Sequence, residues 1–183
     1  MRRSFFLSDE SQITKPHFST RDLLVVAVLA ALGGVTSTYV NTISDAVHAA
    51  LGMPGASQWA AGFHVLWIVL SVGILRKLGV GTITGVLKGV VELMSGNSHG
   101  VIILLVNLVA GLLIDFGFFI FNKKRNLPPY LVAGGLATAS NVLVFQIFAT
   151  LPQNILGLTA ILILFFVALA SGMVFAGVLP YLL

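Results

Sequence analysis

The chain has 183 residues, of which 57% are hydrophobic and 9% charged, with a mean hydropathy of +1.02. So little charge cannot solvate the surface of a water-soluble domain of this length, and the bilayer is expected to be its solvent. The formal charge of +4 comes from basic residues at the ends of apolar runs rather than along one stripe, which argues against nucleic acid as a partner. The absence of cysteine excludes disulfides, thiolate metal sites and cysteine nucleophiles.

Residues 1–20 are polar and carry no apolar core followed by a small-residue cleavage site, so they read as a cytoplasmic tail rather than a signal peptide. Residues 21–183 read as one all-α membrane domain, a six-transmembrane-helix bundle, because most of this stretch divides into runs near the ~20 residues that cross a bilayer. The first span is expected from Leu23 to Ile43, with Thr20 as its N-cap, followed by a Gly/Pro-containing segment from Ser44 to Ser57. Spans two and three are expected at Gln58–Leu75 and Gly79–Met94, the latter short for a crossing. Spans four, five and six follow at Gly100–Phe121, Pro129–Leu151 and Ile155–Leu182.

Nine of the ten lysines and arginines fall in three places: Arg2, Arg3, Lys15 and Arg21 before span one, Arg76 and Lys77 after span two, and Lys123, Lys124 and Arg125 after span four. The segments between, Ser44 to Ser57, Ser95 to His99 and Pro152 to Asn154, have none. Six spans place the three basic clusters on one side, and the positive-inside rule makes that side the cytoplasm, N-in and C-in.

Small residues recur in span one at four-residue spacing, Ala27 with Ala31 and Ala30 with Gly34, and in span three as Gly81, Gly85 and Gly89. Such stripes let helices approach closely in lipid, either within the bundle or against a partner.

Ionisable residues inside spans are functional candidates by default, and three occur: Lys88, Glu92 and Asp115, with His64, Asn107, Asn141 and Gln146 as polar company. Lys88 and Glu92 stand four apart and share a helix face, so they can neutralise each other. Asn97 and His99 follow Glu92 at what should be the external mouth, and a carboxylate, an amide and an imidazole there suit a cationic or amine-bearing small molecule. Trp59 reads as an interfacial anchor. Trp67 and His64 on span two are candidate ligand contacts. Asp115 is expected to partner Lys88 internally. Asp45 and His48 read as solvated loop residues, since two such residues without a third at matching spacing do not make a metal site. No metal site or cofactor is expected. The chain has no G-x-x-x-x-G-K-[ST], H-E-x-x-H or G-x-S-x-G motif, so no enzymatic activity is expected, and any work it does must draw on a gradient or a partner.

These features resemble a family. The A-x-x-x-A stripe of Ala27 and Ala31, the short third span and the V-E-L-M-S-G-N-S-H-G segment are similar to the S components of energy-coupling factor (ECF) transporters, and most of all to the thiamine/hydroxymethylpyrimidine group, the YkoE-like family. The likeness runs from about Gly52 to Lys124, through a G-M-x-G loop, a W-I-V-x-S-V second span ending in Arg76 and Lys77, and an E-x-x-x-G-N turn at Glu92, Gly96 and Asn97. The resemblance implies an outward-facing vitamin pocket, and the residues of this chain expected to line it are Glu92, Asn97, His99, Lys88, Trp67 and His64, with Lys88 a departure from the family's pattern. It also implies docking of span one, through Ala27 and Ala31, on a transmembrane coupling subunit that works with two cytoplasmic ATPase subunits in the cell membrane. The alternative is a stand-alone ion-coupled secondary transporter using Lys88, Glu92 and Asp115 as a proton relay.

Overall fold

In the computed structural model, residues 18–51, 58–97, 100–121, 126–148 and 155–183 are described, and among them there is helix and no strand. Helix α1 is Thr20–Leu51, α2 is Ala61–Leu75 after a 3-10 turn at Gln58–Ala60, α3 is Val80–Met94, α4 is Ile102–Ile120 and α5 is Leu127–Phe148. The last rod begins as α6, Ile155–Ser171, widens into a π-helical stretch at Gly172–Val178 and closes as α7, Leu179–Leu182.

Five stretches of the described residues are long and apolar enough to cross a membrane: Thr20–Val47, Gln58–Leu75, Ile102–Ile120, Leu127–Phe148 and Gly157–Leu182. Helix α3 has 15 residues and falls below that length. The outward faces are apolar, with Leu24, Val28, Leu32, Phe116, Phe119, Ile163 and Phe166 all exposed. Water would not tolerate that much exposed hydrocarbon, whereas lipid does.

The expected start of α1 shifts by one residue. Ser19 is its cap: the Ser19 hydroxyl accepts from the Asp22 N–H at 3.3 Å and the Asp22 carboxylate accepts from the Ser19 N–H at 2.7 Å, a reciprocal arrangement that satisfies two donors at once. The expected end of α1 at Ile43 is wrong by two turns. Ser44 to Leu51 is polar enough to interrupt the apolar run, yet it contains no Gly or Pro and continues the helix. At about 1.5 Å per residue this helix of 32 residues is ~48 Å long, more than a bilayer core requires.

The seam between α3 and α4 is very close. A Cβ at Gly85 would run into the Asn107 backbone carbonyl, and one at Gly111 would come within 2.5 Å of the Gly81 carbonyl, so only glycine allows these backbones to approach so closely. The glycine stripe of span three is therefore internal packing. Beneath it lies a core of Val26, Val65, Ile68, Val69, Val72, Val80, Ile114, Phe118 and Tyr130.

Contacts fix which helix ends lie together. Lys77 Nζ meets Asp22 Oδ2 at 2.6 Å, joining the end of α2 to the start of α1. The Tyr130 ring, at the start of α5, stacks edge-on against Tyr181 near the C-terminus, and its hydroxyl approaches Gly73 of α2. The beginning of α1 and the end of the chain thus share one end of the bundle, together with Arg21, Arg76 and Lys77. Arg2, Arg3, Lys15, Lys123, Lys124 and Arg125 lie outside the described residues.

Candidate functional site

A cavity of about 230 Å³ opens in the half of the bundle away from that basic end. Its wall contains Lys88 and Glu92 of α3, Asn107 of α4 and His64 of α2. It also takes Asn141 and Gln146 from α5 and Asn41, Ser44 and Asp45 from the last turns of α1, and Gln58 from the 3-10 turn joins them. Val65, Ile103, Val106, Val142, Phe145 and Leu164 supply the apolar part. A concavity in which convergent polar groups meet apolar walls is a usual form of small-molecule site, and this one is more polar than most.

The centre of the polar wall is a closed network. The Lys88 ammonium donates to Glu92 Oε1 and, at 2.9 Å, to Asn107 Oδ1. The Asn107 amide donates to Glu92 Oε2 at 2.8 Å and to the Ile103 carbonyl at 2.9 Å. Each Glu92 oxygen therefore has a donor, the three groups carry no net charge, and all are buried: Lys88 is 1% exposed, Glu92 0% and Asn107 4%. Helical spacing explains the arrangement. Lys88 and Glu92 are one turn apart on α3, and the glycine seam brings Asn107 against that turn. Charges buried in an apolar bundle persist only when they are paired and hydrogen-bonded in this way.

Asp115 does not take part, contrary to the expectation that it partners Lys88. It lies two turns further along α4 than Asn107 and accepts instead from the Gly81 N–H at 2.9 Å, the Thr82 N–H at 2.8 Å and the Thr82 hydroxyl at 2.7 Å. The first turn of α3 has N–H groups without intrahelical partners, and a carboxylate from the neighbouring helix satisfies two of them. Helix α4 thus grips α3 at two levels, Asp115 at its start and Asn107 near its end.

The remaining sequence candidates divide. His64 lies in the cavity wall. Trp67 is turned to α1 instead, where its Cβ would lie 2.9 Å from a Cβ placed on Gly33. Asn97 is buried past the end of α3, its N–H bonded to the Glu92 carbonyl at 3.2 Å, and is not among the described residues that line the cavity. His99 lies outside the described residues, as do the Gly52–Ser57 segment and the side chain of His48. Asp45, expected in a solvated loop, is helical and lines the cavity. The recurrence of Asn41, Ser44 and Asp45 at helical spacing is the sequence signal for this face, and the fall in hydropathy after Ile43 masks it.

The two small-residue stripes of α1 lie side by side but differ in burial. Ala30 and Gly34 are buried, and a Cβ on Gly34 would meet Val91 of α3 within 2.6 Å. Ala27 and Ala31 are exposed on the outer surface.

Comparison with known proteins places this geometry. Residues 21–140 match the family described as ABC-type cobalt transport system, permease component. A Bacillus subtilis (strain 168) protein named as an HMP/thiamine permease, YkoE, is 20% identical over 167 residues, covering 88% of this chain and 80% of its own length. The crystal structure of an S-component of an ECF transporter superposes with a TM-score of 0.77 at 21% identity, covering 89% of this chain and 82% of the other. With two thirds of its length inside the family match and an S-component fold, the chain belongs to the ABC-type cobalt transport system permease family and is a multi-pass membrane transport protein rather than an enzyme.

Proposed function

We propose that this protein is the substrate-binding S component of an ECF-type vitamin importer, and that its substrate is thiamine or the hydroxymethylpyrimidine precursor of thiamine. The observation that carries the reading is the buried Lys88, Glu92 and Asn107 network in the wall of a 230 Å³ cavity, held in a fold that matches an S component. The YkoE likeness supports the substrate class. So does the charge of the wall, where one lysine faces two carboxylates, Glu92 and Asp45, leaving a net negative site for a cationic vitamin.

The cavity faces outward and both termini are cytoplasmic, a reading supported by Arg21, Arg76 and Lys77 at the opposite end of the bundle. Import then requires a transmembrane coupling subunit and two cytoplasmic ATPase subunits, since the chain has no nucleotide-binding loop. Exposed Ala27 and Ala31 supply a smooth strip for the coupling subunit. The alternative proton-relay carrier is disfavoured, because Asp115 is engaged at the start of α3 rather than joined to Lys88 and Glu92.

Calorimetric titration of the purified protein in detergent with thiamine and with hydroxymethylpyrimidine tests the assignment. Saturable one-to-one binding of at least one is expected. Absence of binding by either, with a different small molecule co-purifying, would overturn the substrate.

A further inference from the structure

Glu92 cannot be the group that holds a ligand's positive charge by itself, since Lys88 and Asn107 already occupy both of its oxygens and it is 0% exposed. The remaining negative charge in the cavity wall is Asp45, on the extension of α1. It is exposed and makes no salt bridge with a described residue. Across the cavity on α5, Asn141 Oδ1 is buried and accepts no hydrogen bond from a described residue. A buried carbonyl oxygen left unpaired is unfavourable, and a ligand N–H placed there would relieve it. The wall therefore offers two separate acceptors of different kinds: a full charge near the mouth and a neutral amide oxygen within.

We propose that Asp45 holds the cationic end of the ligand and Asn141 accepts a hydrogen bond from its N–H-bearing end, while Lys88, Glu92 and Asn107 form a neutral floor. The ligand class is an organic cation with a separate amino or amide donor. This rests on the vitamin-binding reading above, and within it divides the labour of the site. Thiamine has both features, a thiazolium and an aminopyrimidine. Hydroxymethylpyrimidine has the aminopyrimidine alone.

The two vitamins thus act as probes of the two acceptors. Asp45→Asn should lower thiamine affinity by about tenfold or more and leave hydroxymethylpyrimidine affinity unchanged. Asn141→Leu, which keeps the volume and removes the acceptor, should lower the affinity for both by about tenfold. Retained pyrimidine binding by Asp45→Asn doubles as evidence that its pocket is folded. Thiamine binding to Asp45→Asn within twofold of the native protein, or an equal loss for both ligands, would overturn the role of Asp45 while leaving the vitamin-binding reading intact. Failure of the native protein to bind either vitamin would instead remove that reading, and this assignment with it.

Discussion

Lys88 and Glu92 are the residues whose chemistry is most constrained by their surroundings. Removing one charge from a buried pair leaves the other uncompensated, at about 3–5 kcal/mol, whereas removing both together is often close to neutral. Lys88→Met and Glu92→Gln should each lower the melting temperature in detergent substantially, and the double variant should recover most of the loss. Additive losses in the double variant would show that the two side chains do not act as a pair. The spacing of Lys88 and Glu92 was legible in the sequence because a one-turn offset on a helix guarantees a shared face. Asn107 and the diversion of Asp115 were not, because both depend on the register of α4 against α3. That register is set by Gly85 and Gly111, and nothing in local sequence specifies which glycines meet.

At the scale of the element, α1 presents two stripes with opposite duties. Gly34 admits no side chain against Val91, so Gly34→Val should destabilise the fold and abolish ligand binding. Ala31 faces outward, so Ala31→Trp should leave binding by the isolated protein nearly intact and abolish uptake in cells carrying the coupling subunit and ATPases. Equal loss of binding in both variants, measured by calorimetry, would make the outer stripe part of the bundle's own packing. The small-residue spacing was visible in the sequence, but its division between inside and outside was not, since both stripes consist of small residues at the same spacing. The length of α1 is hidden in the sequence for another reason: hydropathy falls at Ser44 because the helix there turns polar residues towards a cavity, not because the helix stops.

For the whole molecule, apolar runs and the placement of arginine and lysine point to an all-helical membrane chain, and among the described residues five of the six expected spans are long and apolar enough to cross, α3 being too short. Lipid imposes strong rules on both signals. The orientation gives a direct test: an impermeant thiol reagent applied to intact cells should modify Ser95→Cys, at the cavity end, and not Leu78→Cys, at the basic end. The reverse pattern would invert the proposed topology.

Helix α3 has a consequence for the surrounding lipid. It turns Val86, Leu87, Val90 and Met94 outward, yet its 15 residues reach only about 22 Å against a hydrocarbon thickness of ~30 Å. With α3 as the third crossing of the proposed topology, acyl chains beside it compress, or headgroups sink towards the ends of the helix, while ~48 Å of α1 stands in the same membrane. The protein thereby imposes a local dimple on one flank, and the elastic energy of that dimple depends on the lipid. Its melting temperature should rise in vesicles of shorter-chain phosphatidylcholine and fall in longer-chain ones, and a flat response would mean that something other than lipid covers α3.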